Sequence, residues 1–432
     1  MLGPLPPTPD DVTTLGDENP ESVISVIHRQ LVLDKTAKSN ALPFVLQGYA
    51  SWVGRVALDP LKVTGATREF VCSQFEDGDQ SRWVIALLAN IGSRIGSVEF
   101  VEATPTRMLS LLQTAVRRRL GDVKSRPNPS KHELVRVLES ATEATVIQFY
   151  ASPVSEAMTL LQETMPIFRR LCPGPPDAPI DLHLLLQHPS SSLWRYAEMD
   201  ITTGVLSDMP TKFRYQVALP GSQLSNFYRS VTPAIHNDGL VQWMRGIPNR
   251  ILIIFAYMKS LHQNGQTPDE ETVTSIERDI REVPLFSGSA SDRFLVIMRS
   301  IVQECWRQAA FVYLYMAVCG DSSDTPRVKE ACKRYMRLLK GIKPGRLPDE
   351  YLLMTLQLVA SAAQRPRDRE VIKQRALALR SRDRTHGGTT FVILVMEGVW
   401  AWADAQGRPI MWSDKAVSRR RVIDMLLPKK YK

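Results

Sequence analysis

A stripe of apolar residues follows one face of the segment 294–316, in steps of three and four positions over about six helical turns. Its members are Phe294, Ile297, Met298, Ile301, Cys305, Ala309, Val312 and Met316. This spacing is typical of a helix whose apolar face is buried, so we expect the helix to pack against other helices along its whole length. A chain that contains such a helix needs further helices to cover it.

Signals for the starts and ends of helices recur along the rest of the chain. A hydroxyl residue precedes a proline, as expected for an N-cap, at Thr104, Ser152, Thr267 and Thr325. Ser130 and Thr267 each have a glutamate three positions later, which predicts capping boxes. Helix ends are expected at Gly121, Gly320 and Gly341. The strand-like run 391–395 continues into Met396, Val399 and Trp400 at helical spacing, so we predict a helix there and an all-α fold overall.

Composition divides the chain into a tail and one large multi-helix domain. Residues 1–22 contain five acids, no base and five prolines, so we expect a disordered acidic tail. The domain is expected over 23–427, in helical halves of about 23–172 and 180–427, followed by a basic tail at 428–432. The proline-rich run 172–179 separates the halves, and 204–237 is predicted to be an irregular loop.

The pattern of cysteines and apolar runs excludes several classes of protein. The longest apolar run, Ile251 to Met258, is far shorter than the roughly 20 residues of a membrane-spanning helix. The five cysteines are widely spaced and form no Cys-x-x-Cys pair, so we expect separate reduced thiols and no metal site. The sequence therefore predicts a soluble intracellular protein with no membrane association.

Sequence motifs of catalysis are not recognisable in the chain. The segment Gly341–Gly345 lacks the spacing of a phosphate-binding loop, and Gly92–Gly96 lacks the dinucleotide fingerprint. No Gly-x-Ser-x-Gly motif occurs. We therefore expect no enzymatic activity and no cofactor, with an enzyme built on a helical core kept as the third alternative.

Basic clusters stand out in a chain whose formal net charge is +9. Arg117–Arg119 and Arg419–Arg421 are expected to end helices, where cations complement the helix dipole. Arg419, Arg420 and Arg421, together with Lys429 and Lys430, have the spacing of a bipartite nuclear import signal.

The amino-acid sequence of the second half resembles the fungal-specific transcription factor domain. This domain is the helical regulatory region of zinc binuclear-cluster (Zn2Cys6) regulators. The resemblance is densest from 299 to 348, where residues 302–310, 312–320 and 335–345 carry it. It extends to Phe213-Arg-Tyr215, to 242–248 and to 407–414, and covers about 39–427. It implies an all-α regulatory domain, a nuclear location and control of transcription by RNA polymerase II.

One feature of the family is not found in this sequence. The family reads DNA through a segment with six cysteines, whereas the first cysteine here is Cys72 and the first 28 residues contain no base. We expect either a gene model that lost its first exon or a paralogue without the cluster, and therefore no direct DNA recognition by this chain. The expected partners are the transcription machinery or a cluster-bearing paralogue.

The densest part of the resemblance also suggests a place for a small-molecule effector. Cys305, Trp306 and Arg307 are candidates for a pocket between helices, where Arg307 meets an acidic metabolite. The alternative is that Cys305 and Trp306 simply fill the core. A helical scaffold for protein interactions, with no role in transcription, is the alternative function.

Overall fold

The computed structural model describes residues 37–96, 104–188, 190–217, 239–284, 293–383 and 387–426. The predicted tail 1–22 and the basic residues 428–432 lie outside them. The described residues are 78% helical with almost no strand, which confirms the all-α prediction.

The first six α-helices follow a single 3₁₀ turn at Lys38–Asn40 and pack as neighbours along the chain. They are α1 (Ala41–Val56), α2 (Pro60–Glu76), α3 (Asp79–Gly96), α4 (Thr104–Ser125), α5 (Lys131–Ala151) and α6 (Val154–Leu171). Extensive contacts join α1 to α3 and α5 to α6.

The middle of the chain combines helices with a two-stranded parallel sheet. Its elements are β1 (Ile180–Asp181), α7 (Leu182–Gln187), α8 (Ser191–Ser207), β2 (Tyr215–Gln216), α9 (Leu240–Arg245), α10 (Asn249–Gln263) and α11 (Glu270–Arg281). In the sheet, Ile180 pairs with Tyr215 and Asp181 with Gln216.

The last part is again helical, and the longest apolar stripe lies at its start. The elements are α12 (Arg293–Tyr313) with a π-helical turn at Leu314–Val318, α13 (Pro326–Lys340), α14 (Arg346–Ala360), α15 (Pro366–Asp383), α16 (Gly388–Ala405) and α17 (Asp414–Leu426). The helix predicted at the strand-like run 391–395 is confirmed as α16. No described helix is long and apolar enough to cross a membrane.

A single hydrophobic core joins the helices before and after the connector 172–179. Its largest fully buried side chains include Trp52, Tyr196, Trp306 and Tyr335. The stripe of α12 enters this core from Met298 onward. The prediction that the whole stripe is packed is wrong for its first turn, because Phe294 and Ile297 are 38% and 55% exposed.

The structure confirms only some of the predicted helix starts and ends. The capping box at Ser130 is confirmed: its side chain accepts from the Glu133 amide, and the Glu133 carboxylate accepts from the Ser130 amide. The box at Thr267 is wrong, since Asp269 caps α11 by accepting from the Thr272 amide. Gly121 lies inside α4, so the helix end predicted there is also wrong.

The irregular loop predicted for 204–237 starts too early. Helix α8 continues through Gly204 to Ser207 and ends at Asp208, whose φ is +52°. Tyr215 then enters the sheet with β1. Residues 218–237 of the predicted loop lie outside the described part of the chain.

Candidate functional site

A cavity of about 190 Å³ lies where α5, α6 and α8 face α9, α14 and α16. It is larger than the roughly 150 Å³ engineered cavity that accepts benzene, so it has room for a small organic molecule. The apolar wall consists of Val56, Val146, Phe149, Val154, Met158, Met199, Leu206, Leu240, Val241, Met244, Leu353, Met354, Leu379, Phe391 and Val392. The remaining lining residues are Tyr150, Arg195, Glu198, Thr202, Thr203, Ser207, Arg245, Glu350, Tyr351, Gln357, Gly388 and Thr389.

Helix α8 supplies one continuous face of this wall. Arg195, Glu198, Met199, Thr202 and Leu206 follow one another at intervals of one, three and four residues. Side chains at this spacing share one side of a helix. The charged residues at the start of that face and the apolar residues at its end therefore line the same cavity.

The short helix α9 places Arg245 opposite that face. It ends at Gly246, whose φ of +72° is the left-handed conformation that favours glycine. A β-carbon at this position would also collide with Cγ1 of Val302 on α12. Gly246 therefore ends α9 directly after Arg245 and lets the turn rest against α12.

Three ion pairs have one or both members in the cavity wall. Arg195 Nη2 lies 2.6 Å from Glu143 Oε2, Arg245 Nε lies 3.5 Å from Glu198 Oε2, and Arg55 Nε lies 3.4 Å from Glu350 Oε1. In every pair the carboxylate side chain is less than a tenth exposed. Each of the three carboxylates thus has an arginine beside it.

The two carboxylates nearest Arg195 differ in their proton affinity. Burial raises the pKa of Glu143, but the charge of Arg195 and the hydrogen bond from Trp52 Nε1 outweigh it, so that the pKa lies below its ordinary value. Burial also raises the pKa of Glu198, and Arg245, Arg195 and a hydrogen bond with the Thr202 side chain oppose this without cancelling it. The groups around Glu198 therefore offset the effect of burial less completely than those around Glu143.

One oxygen of Glu198 is left without a partner. Oε1 is buried and has no hydrogen-bond partner among the described residues, while Oε2 faces Arg245. The Glu198 side chain is 3% exposed and lines the cavity. A buried acceptor without a hydrogen-bond donor is costly to the fold.

The cavity wall is suited to binding. None of the described residues that line it is a histidine, a cysteine or a lysine. Its acids face arginines, an arrangement that holds charge in place without moving protons. In the described part of the chain, no group of three or more His, Cys, Asp and Glu residues is arranged to hold a metal ion.

The predicted effector residues 305–307 lie away from this cavity. Cys305 and Trp306 are 0% and 1% exposed in the core, where the Trp306 ring makes an edge contact with Phe255. Arg307 donates to the backbone oxygens of Ile280 and Val283, at 3.2 Å and 2.6 Å, and contacts Glu304. The structure brings none of the three to the cavity wall.

Both arginine clusters lie inside helices, so the expectation that they end helices is wrong. Arg119 is buried in α4 against Asp77 and Gln74. In α17, Arg419 donates to the Ser207 backbone oxygen, Arg420 is exposed, and the Arg421 guanidinium lies 4.0 Å from the centre of the Trp402 ring. Lys429 and Lys430 lie outside the described residues.

Sequence reasoning missed the charged residues of the cavity wall, although one signal pointed toward Glu143, the partner of Arg195. Glu143 stands within the run Ser140–Ile147, whose other members are small or apolar. A helix that is apolar nearly all round is buried, and a lone acid in it must find a cation. No such signal identifies Arg195 as the partner, because the two residues are 52 positions apart.

The comparisons with known proteins bear on the second half of the chain. The model of the fungal specific transcription factor domain matches residues 219–427, which take in α9 to α17 and the cavity wall from Leu240 to Val392. No curated protein and no solved structure matches the chain. As the resemblance in its sequence predicted, just under half of the chain is therefore similar to the fungal specific transcription factor domain.

Proposed function

We propose that this protein regulates transcription by RNA polymerase II, and that a small molecule bound in the cavity controls it. The family match to residues 219–427 is the observation that carries the first part. The second part is supported by a cavity with a mainly apolar wall and a few fixed polar groups, which is the usual character of a ligand site.

The construction of the cavity offers a route from binding to regulation. Its wall joins residues inside the family match, such as Arg245 and Met354, to residues before it, such as Glu198. A ligand that contacts both parts stabilises the arrangement in which they are closed together. The ligand then shifts any equilibrium in which that arrangement takes part.

The proposal includes a nuclear location and protein partners. The partners are the transcription machinery or a paralogue that carries the zinc cluster, and the chain acts as a regulator without enzymatic activity. Fluorescence imaging of a tagged chain tests the location. Accumulation in the nucleus is expected, and exclusion from it would favour a helical scaffold with no role in transcription.

A tethering experiment tests the central part of the proposal. The full chain is fused to an unrelated DNA-binding module, and transcripts are measured from a reporter that carries the matching site. We expect transcript levels to change in either direction relative to the module alone. An unchanged reporter, with the fusion present in the nucleus, would contradict a role in transcription.

DNA recognition by the chain itself needs a separate measurement. Fluorescence anisotropy is recorded with a CGG-containing duplex and a scrambled one, with zinc and over a salt titration. We expect weak binding that does not distinguish the duplexes and falls as salt rises. A preference of about tenfold for one duplex would show that this chain reads bases.

A further inference from the structure

We propose that the exposed face of α13 binds the acidic tail, residues 1–22, of the same chain. This contact is separate from the cavity and goes beyond the proposed role in transcription. It depends on the charge of α13, on the cations of that helix that lack an acidic partner, and on the charge and reach of the tail.

Helix α13 has the highest net charge of any helix in the described part of the chain. Its side chains include six cations and a single acid, Glu330. All six cations are exposed, whereas the opposite face of the helix is buried in the core. The cations are Arg327, Lys329, Lys333, Arg334, Arg337 and Lys340. The helix therefore presents an almost entirely basic face to solvent.

Neighbouring acids neutralise only part of this charge. The acids that form ion pairs with the face are Asp321, Glu330 and Asp368. Lys329 and Arg337 have no acidic partner among the described residues. With Lys333 between them, they follow one another at intervals of four residues and form one row along the helix. This row is the part of the face that is open to a further negative charge.

The same face already stabilises one carboxylate. The pKa of Glu330 lies below its ordinary value, first because Arg334 donates a hydrogen bond to it at 3.0 Å. The charges of Lys333 and Arg337 add to this effect. A second carboxylate placed beside the row meets the same cations.

The other strongly basic helix, α4, is less available to a partner. Its Arg117 lies 2.9 Å from a carboxylate oxygen of Glu163, and its Arg119 is buried beside Asp77. These cations are directed toward α6 and toward the residue that follows α2. Charge complementarity therefore favours α13 as the site for an acidic segment.

The tail supplies the matching charge. It contains five acids and no basic side chain; the acids are Asp10, Asp11, Asp17, Glu18 and Glu21. Each exposed ion pair contributes little by itself. The tail is tethered to the domain, however, and tethering gives it an effective concentration on the order of 1 mM.

The connection to the domain is long enough for this contact. Residues 23–36 separate the tail from the first described residue. A segment of this length extends up to about 46–50 Å, and a compact domain of about 400 residues has a radius of gyration of about 21 Å. The segment can therefore carry the tail across most of the domain.

Zero-length crosslinking of the full chain with a carbodiimide tests the contact, because it joins carboxylates only to amines that they touch. We expect the tail acids to be joined to Lys329 and Lys333 at low salt, and the products to fade as salt approaches about 1 M. Tail acids joined mainly to lysines elsewhere, or to none, would overturn the proposal. In a mixture of isotope-labelled and unlabelled chains, crosslinks mainly between copies would also overturn it.

A full chain in which the five tail acids are replaced by Asn and Gln gives a second measurement. Acetylation of Lys329 and Lys333 should be at least about threefold faster in this variant, because the tail no longer covers them. The exposed Lys62 on α2 is the control and should react equally in both chains. Unchanged rates at Lys329 and Lys333 would contradict the proposal. Protection of both lysines by a DNA duplex in either chain, with unchanged rates in its absence, would assign the face to nucleic acid instead.

Reversal of charge on α13 assigns the contact to the row. Lys329→Glu combined with Arg337→Glu should reduce crosslinking of the tail to Lys333 to background, and both positions are exposed, so the fold should be kept. Lys62→Glu, at an exposed position on α2, should leave that crosslink unchanged. Undiminished crosslinking in the double variant would show that the row does not hold the tail.

Discussion

At the scale of single residues, the least compensated buried cation of the C-terminal helix is Lys415. It is 1% exposed, and its Nζ lies 4.0 Å from the centre of the Trp412 ring with no hydrogen-bond partner among the described residues. Among the described groups that set its charge state, the only carboxylate is Asp208, which already accepts from His262 and Trp412. Burial lowers the pKa of Lys415 to about 7; Asp208 opposes the shift, while Lys259 and Arg419 add to it.

The first prediction concerns the pH dependence of stability that this lysine causes. Between about pH 7 and pH 10.5 the unfolded chain holds a proton on Lys415 that the folded chain has lost, so the free energy of unfolding rises with pH in this window. Lys415→Met should raise the free energy of unfolding near neutral pH by on the order of a few kcal/mol. The gain should shrink as the pH approaches 10.

Thermal melts of the wild type and Lys415→Met at several pH values check this prediction. The exposed Lys333 on α13 provides the control, since Lys333→Met should leave the stability nearly unchanged at every pH. A constant difference in melting temperature between the wild type and Lys415→Met at all pH values would contradict the account.

The second prediction concerns the reactivity of the thiols. Cys305 is fully buried, and burial raises the pKa of its thiol, so little of the reactive thiolate forms. Cys72 is partly exposed on α2. Iodoacetamide should therefore alkylate Cys72 well before Cys305 in the folded protein, as measured by peptide mass spectrometry. Equal rates would mean that the core around Cys305 opens readily; in denaturant all five cysteines should react.

At the scale of elements, the tightest requirement in the first helices is the contact between α1 and α3. A β-carbon on Gly92 of α3 would lie 2.8 Å from Cβ and Cγ of Trp52 on α1. The Trp52 indole nitrogen donates to Glu143 at 2.9 Å, so its position also supports the ion pair with Arg195. Gly92 is therefore required by close packing.

The third prediction compares two glycine substitutions in helices. Gly92→Ala should lower the free energy of unfolding by about 1–3 kcal/mol, because the methyl group displaces Trp52. Gly65→Ala on the exposed face of α2, where nothing lies within 4 Å of the added carbon, should raise it by about 0.5–1 kcal/mol. Urea unfolding of both variants provides the measurement. A Gly92→Ala variant as stable as Gly65→Ala would show that the two helices can move apart.

The helices could be predicted from the sequence where their signal was local. The apolar period of α12 and the continuation of residues 391–395 into Trp400 depend only on neighbouring residues. The end of α8 could not be predicted in this way, because a glycine such as Gly204 usually indicates a break in a helix. In the structure this glycine is instead a place of close approach, where a β-carbon would lie 3.0 Å from Thr211 Cγ2.

At the scale of the whole molecule, the cavity is the feature that no reading of one sequence could predict. Its wall extends from Val56 to Val392, and its ion pairs join helices that are far apart in the chain. The pairing of Arg55 with Glu350 depends on the packing of α1 against α14, which leaves no pattern in either segment. The family resemblance, in contrast, could be found from the sequence because the similarity extends over long continuous segments.

The central claim is that this chain controls transcription through its cavity. The fourth prediction compares two variants in the tethered reporter: Met354→Trp, which fills part of the cavity, and Met165→Trp, at a half-buried methionine of α6 that does not line it. We expect the wild type and Met165→Trp to change reporter transcripts to the same extent, and Met354→Trp to give a different level at equal protein abundance. If Met354→Trp gives the same level as the wild type, or if all three fusions leave the reporter at the level of the DNA-binding module alone, the claim is wrong.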